Sequence, residues 1–240
     1  RDRREERASM IQVVLIDIDN TLLSFSGYIK EAMRDGFAQY GLKPYTEAMF
    51  PVFERINNSL WEQIEQGTLS FEKLTEIRWN MIFHALGISF DGRIFERYFR
   101  DKLFSSAVPE PGAVELLEYL SHRYRLCIAS NGPYEQQINR LRVGKMYDFF
   151  THFFVSSQIG AQKPSAAFFD FCFKELRGSG FPNLLPEETM IIGDSLSSDI
   201  AGGAGYGMHT CLYQKKPVPA LDVSRAEHVV RSLAEIQRIL

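Results

Sequence analysis

Two aspartates two positions apart, Asp17 and Asp19, stand directly after the apolar run Ile11 to Ile16. The run is rich in β-branched residues, the composition of a strand buried on both faces. Carboxylates are seldom fully buried without a partner, and two of them at the end of an apolar strand repel each other. A divalent cation relieves that repulsion, and hard cations such as Mg²⁺ take oxygen ligands of this kind. Side chains alternate along an extended chain, so Ile18 points away while Asp17 and Asp19 lean toward one place just past the strand. In open parallel sheets ligands bind at that edge. The same residues also read as a strand followed by a polar turn on Asp19 and Asn20.

Three further places repeat the pattern of a short apolar strand running into polar residues. Leu126 to Ala129 is followed by Ser130-Asn131-Gly132. A hydroxyl, an amide and free backbone N–H groups at a strand-to-helix junction can hold a phosphate oxygen, or simply cap the helix and form a tight turn. Lys163 precedes Pro164, which biases it toward an extended backbone. It then projects as a positive point charge, or stands as a solvated surface lysine. Met190 to Ile192 runs into Gly193, Asp194, Ser195 and, just over a helical turn later, Asp199. There Asp194 can reach a cation, or Asp194 and Ser195 can cap a helix start. Gly202, Gly203, Gly205 and Gly207 lack the spacing of a phosphate loop; small residues there permit close packing of a helix on the sheet.

The elements that must position these groups follow from periodicity. From about Gly27 to Arg100 the texture is helical, with expected helices over Tyr28 to Tyr40, Phe50 to Gln66, Phe71 to Leu86 and Phe95 to Phe104. Ser70 reads as the N-cap of the third. Trp61, Trp79, Phe53 and Phe83 read as core aromatic residues of this bundle. Strands are expected at Arg125 to Ala129, Phe153 to Val155, Thr189 to Ile192, Thr210 to Tyr213 and His228 to Val230. Between them lie helices at Ala113 to Ser121, Tyr134 to Val143 and Ala166 to Leu176, with a closing helix from Ser232. Alternating strands and helices predict an α/β fold, a doubly wound and mainly parallel sheet with helices on both faces. The first strand belongs to that sheet, so the helical stretch is an all-helical insert.

Size and charge narrow the function. The chain of 240 residues suits one large domain or a domain with a smaller insert, and 45% apolar residues suit a packed core. A net charge of −3 gives no electropositive field for a nucleic-acid polymer, so a small-molecule substrate is expected. No apolar run approaches a membrane span. Cys127, Cys172 and Cys211 lie far apart beside apolar neighbours and read as buried free thiols, which fits the reducing cytoplasm. Residues 1–9 are a mixed charge cluster without a hydrophobic region. They are expected to be an extension dispensable for activity, which their deletion would check.

The order of these signals is more specific than any one of them. Asp17-Ile18-Asp19-Asn20-Thr21, Ser130-Asn131, Lys163-Pro164 and Gly193-Asp194-Ser195-Leu196-Ser197-Ser198-Asp199 together resemble the haloacid dehalogenase-like (HAD) hydrolase superfamily, across essentially everything after Met10. Gln158 to Asp170, Gly193 to Ile200 and Asn57 to Gly67 look like its pyrimidine 5′-nucleotidase-type branch. The resemblance implies a Rossmannoid core over 10–26 and 106–240, with a helical cap over 27–105 that covers the site, excludes water and selects the leaving group. It implies Asp17 as a nucleophile forming an aspartyl-phosphate, and Asp19 as general acid and then base. Mg²⁺ is implied on the Asp17 carboxylate, the Asp19 backbone carbonyl and Asp194, with Asp199 supporting the metal from behind. Ser130, Asn131 and Lys163 are implied to hold phosphoryl oxygens. By the same resemblance dehalogenases lack an acid at the position of Asp19, so phosphate-ester hydrolysis of a small phosphorylated metabolite is expected. A nucleoside 5′-monophosphate is one such substrate; sugar-phosphate hydrolysis or phosphomutase chemistry is the alternative. A phospho-accepting receiver module also combines acids, hydroxyl and lysine on such a sheet, but receivers lack a large helical insert.

Overall fold

The computed structural model describes residues 11–215 and 225–240. The expected N-terminal extension lies outside the described residues. The chain divides into two compact units: one joins the residues up to Ser24 with those from Ala107 onward, the other is Phe25–Ser106.

The second unit is helical: α1 (Phe25–Gln39), α2 (Phe50–Glu65), α3 (Phe71–Leu86) and α4 (Gly92–Phe104). Ser70 caps α3 as expected, its side chain accepting from the Lys73 N–H at 3.1 Å. Helix α4 begins earlier than its apolar period suggests. Asp91 is its cap, accepting from the Arg93 N–H at 2.9 Å. Gly92 follows because a Cβ there would lie 2.2 Å from the Asn80 backbone nitrogen, and a glycine at a helix start obscures the helical signal. The core of the unit is aromatic. Phe53, Phe83 and Trp79 are buried as predicted, Trp79 with its ring 4.4 Å from that of Phe95, while Trp61 is half-buried against Phe71.

Within this core Arg78 binds Glu96 through two hydrogen bonds, of 2.5 and 3.1 Å, and Asn57 through a third of 3.1 Å. Both charged side chains are about 95% buried. Removing one partner of such a pair leaves an uncompensated charge. Arg78→Met is therefore expected to cost about 3–5 kcal/mol, read from the urea midpoint. Adding Glu96→Leu should recover most of that loss; an unchanged midpoint in the single variant would contradict it.

The first unit carries a six-stranded, all-parallel sheet in the order β3-β2-β1-β4-β5-β6. Its strands are β1 (Val13–Ile16), β2 (Arg125–Ser130), β3 (His152–Val155), β4 (Thr189–Gly193), β5 (His209–Tyr213) and β6 (His228–Val230). Helices α5 (Ala113–Ser121), α6 (Tyr134–Val143), α7 (Ala166–Gly178) and the short α8 (Ala201–Tyr206) connect them. The closing helix expected from Ser232 is a 3₁₀ helix, Leu233–Arg238.

Alternation along the central strands makes two cores. Val14, Ile16, Ile128 and Ile192 face one, with Leu116 and Leu120 of α5 and Leu141 of α6. Val13, Leu15, Ala129 and Ile191 face the other, with Phe168, Phe169 and Phe173 of α7. Every residue of β1 is fully buried, as a strand covered on both faces requires. The three cysteines are free and buried. Burial holds the Cys127 and Cys211 thiols up at about 12, so they are inert packing groups. No helix among the described residues is long and apolar enough to cross a membrane.

Candidate active site

Register places the chemistry. Ile16 lies level with Ile128 of β2 and Ile192 of β4, so the chain leaves all three strands at one edge of the sheet. Asp17 extends the ladder by one bond, its N–H donating to the Ile192 carbonyl at 2.9 Å. It takes the alternation of Val13 and Leu15, while Ile18 packs into the opposite core. The chain then turns: the Leu22 and Leu23 N–H groups both donate to the Ile18 carbonyl, and Asn20 adopts a left-handed backbone with φ 57°, which asparagine tolerates well.

Lys163 is not a surface residue. It is 1% exposed, and its ammonium donates to Asp17 Oδ1 at 3.0 Å, Asp199 Oδ1 at 2.6 Å and the Ala129 carbonyl at 2.6 Å. An ammonium has three N–H groups, so all are committed within the protein. The Lys163–Pro164 peptide is cis. Asn131 fastens this loop to β2: its Oδ1 accepts from the Lys163 N–H at 2.9 Å and its Nδ2 donates to the Lys163 carbonyl at 2.8 Å. The Asn131 amide thus clasps the Lys163 backbone through both its polar atoms.

Asp199 is fully buried. Its Oδ1 takes Lys163 and its Oδ2 accepts from the Ser195 N–H at 3.1 Å. Gly193 makes this possible, because a Cβ there would sit 2.0 Å from Asp199 Oδ2. Oxygens of Asp17, Asp194 and Asp199 lie within 4.8 Å of one another. Both oxygens of Asp199 are occupied, which leaves Asp17 and Asp194 as the carboxylates better placed to accept a cation. Among the described residues Lys163 is the one cation bonded to this trio.

The imbalance shows in the acidities. Burial, against the attraction of Lys163 and with the added repulsion of Asp199 and Asp19, raises the Asp17 carboxyl to about 7. Burial and then the charge of Asp17 push Asp194 well above the carboxylate range. Burial alone would lower Lys163, but Asp17 and Asp199 hold it above its ordinary value, so it stays an ammonium. Three carboxyls, two buried and one half-buried, with one ammonium among them suit a hard divalent cation.

These shifts fix the sign of a pH dependence. In protein freed of divalent cations, Asp17 sits near 7 when folded against an ordinary 3.8. Between those values the folded state holds more protons than the unfolded chain, so stability falls as pH rises. Asp194 acts in the same direction, and Lys163 keeps its proton in both states over that range. The thermal midpoint in chelator is expected to decline from pH 4.5 toward 7.5, less steeply in Asp17→Asn. Parallel profiles would place the Asp17 carboxyl at its ordinary acidity.

Asp19 and Ser130 belong to a second, adjoining network. Asp19 Oδ1 accepts from Arg140 Nη1 at 2.6 Å and its Oδ2 from Gln137 Nε2 at 2.8 Å. The Ser130 hydroxyl accepts from the same Gln137 Nε2 at 2.9 Å. Gln137 and Arg140 escaped the sequence reading. Their signal was two polar residues three apart on α6, on the stripe that also carries buried Ile138 and Leu141; nothing in the sequence said which acid that stripe meets. The structure thus gathers Asp17, Lys163, Asp194 and Asp199 in one cluster, and Asp19 and Ser130 in its neighbour. The Asp19 carboxylate is not one of the three clustered acids.

Comparison with known proteins points one way. A family model described as haloacid dehalogenase-like hydrolase matches residues 11–207. The chain is 31% identical to YfnB of Bacillus subtilis (strain 168), a HAD-hydrolase by its name, over 95% of each chain. It is 30% identical to the pyrimidine 5′-nucleotidase PynA of Streptococcus pneumoniae, over 83% of this chain and 82% of that one. It is 25% identical to the pyrimidine 5′-nucleotidase YjjG of Escherichia coli (strain K12), over 95% and 96%. The crystal structure of YfnB bound to magnesium matches with a TM-score of 0.83, over 96% of this chain and 98% of that one.

Proposed function

Since the chain belongs to the haloacid dehalogenase-like hydrolases, we propose that it is a magnesium-dependent phosphomonoester hydrolase working through an aspartyl-phosphate on Asp17. The observation that carries this reading is the Asp17 carboxylate, buried beside the committed ammonium of Lys163 and the cation-poor Asp194. Asp17 and Asp194, with the Asp19 backbone carbonyl, would hold Mg²⁺, which when bound offsets the repulsion between an anionic carboxylate and anionic phosphoryl oxygens. The crystallisation of YfnB with magnesium supports that assignment.

The chain's own residues account for the rest. Lys163 fixes Asp17 Oδ1 and lowers the cost of its charge, aiming the carboxylate along the edge of the sheet. Asp17 attacks phosphorus as the bond from phosphorus to the ester oxygen breaks. Asp19 gives a proton to the departing alkoxide. Asp19 then takes a proton from water as that water attacks the aspartyl-phosphate, which releases inorganic phosphate and restores Asp17. Ser130 offers a hydroxyl to a phosphoryl oxygen, and Asn131 holds the Lys163 loop in place. Asp199 keeps Lys163 oriented from behind. Phosphoryl transfer is mainly positioning and charge stabilisation, which a kit of this size can supply.

The substrate we assign is a small phosphorylated metabolite, with nucleoside 5′-monophosphates first because of the names of PynA and YjjG. The helical unit Phe25–Ser106 is taken as the family's cap insert in the chain. The test is phosphate release, with Mg²⁺, from a panel of nucleoside monophosphates and sugar phosphates. Repeated turnover with a pyrimidine nucleotide preference is expected. Preference for sugar phosphates would overturn the substrate, and release of no phosphate from any ester would overturn the reaction.

A further inference from the structure

We propose that Gln137 and Arg140 are positioning residues that lock the Asp19 carboxylate and couple it to the Ser130 hydroxyl; this rests on the phosphatase reading above. Gln137 is fully buried and Arg140 is 1% exposed, and both donate to the same acid. Each oxygen of Asp19 has its own donor, Arg140 Nη1 at 2.6 Å and Gln137 Nε2 at 2.8 Å. A carboxylate held by both oxygens cannot rotate, so its orientation is settled before substrate arrives.

The orientation of the Gln137 amide is settled by chemistry. Arg140 has donors only, and its Nη1 lies 2.9 Å from Gln137 Oε1. That atom must therefore be the carbonyl oxygen. The Gln137 nitrogen then faces Asp19 Oδ2 and Ser130 Oγ, 2.8 and 2.9 Å away, and its two N–H groups serve one each. Asp19, on the loop after β1, and Ser130, at the end of β2, are thereby fixed relative to one another through one side chain of α6. The helix itself is anchored at its start, where the Tyr134 N–H donates to Ser157 Oγ at 3.0 Å.

A positioning role has a signature that a purely structural role lacks. An alkyl phosphate needs a proton delivered to its leaving oxygen, whereas an aryl phosphate such as p-nitrophenyl phosphate departs as a stable anion with little help. Proton transfer by a placed group contributes about 10²–10⁴-fold. In Gln137→Met, kcat/KM, which reports formation of the aspartyl-phosphate without the hydrolysis step common to both esters, is therefore expected to fall at least about tenfold further for an alkyl phosphate than for p-nitrophenyl phosphate. Arg140→Lys, which keeps the charge but loses the planar fork, should show the same selective loss and serves if Gln137→Met does not fold. Thermal midpoints monitor folding in each. Equal losses on both esters, or no loss on either, would overturn the proposal while wild-type turnover leaves the phosphatase reading intact. Wild-type protein that hydrolyses neither ester would overturn both.

Discussion

Asp17→Asn is expected to lower phosphate release by at least about 10⁴-fold, the scale on which loss of a covalent nucleophile is felt. An amide has no anionic oxygen to offer phosphorus. It also removes one of the two carboxylates that hold Lys163. The fold should nevertheless survive, because Lys163 keeps Asp199 and the Ala129 carbonyl, both at 2.6 Å. Without metal at neutral pH the variant should be at least as stable as the wild type. Burial drives the Asp17 carboxyl up to about 7, so its charge is held at a cost there. Dead but undiminished in stability is the expected result, measured as turnover and as thermal midpoint in chelator. An active Asp17→Asn protein would remove the nucleophile from the mechanism. Such an exchange of stability for reactivity is usual at catalytic positions.

Lys163→Met should act on both properties at once. Its ammonium is the partner of two buried carboxylates, and the substitution leaves Asp17, Asp194 and Asp199 facing one another with no ammonium among them. Breaking a buried pair by removing one side costs about 3–5 kcal/mol. Activity should fall by about 10²–10³-fold, as expected when one preorganised charge donor is lost. The stability loss should be largest at neutral pH in chelator. It should shrink toward pH 4.5, where Asp17 and Asp194 take up protons and lean less on the cation. Mg²⁺ should restore part of it, by binding the folded state alone. A pH-independent loss would mean that Lys163 contributes packing rather than charge.

Much of this site could be read from the chain because its parts are local. Asp17, Ser130, Lys163 and Asp194 each follow a short apolar strand or its loop, and β-branched runs betray buried parallel strands. The matched register of β1 with β2 and β4 then brings their ends to one edge. What could not be read was the pairing between distant residues. Lys163 looks like any surface lysine until Asp17 and Asp199 are folded onto it. Nothing near Asn131 in the sequence says that its amide clasps the Lys163 backbone. Gln137 and Arg140 sit 118 and 121 residues from Asp19, and periodicity within one helix carries no information about such a partner. Helix α4 shows the opposite failure, since Gly92 weakens a local signal in order to satisfy a tertiary contact with Asn80.

The most direct measurement is to quench the protein with acid during steady turnover of a phosphate ester in Mg²⁺ and map the phosphorylated peptide by mass spectrometry. One phosphoryl group on Asp17, absent from Asp17→Asn, is the expected result. Sustained phosphate release with the label on another residue, or with no phosphoprotein formed, would contradict the assignment of Asp17 as the nucleophile.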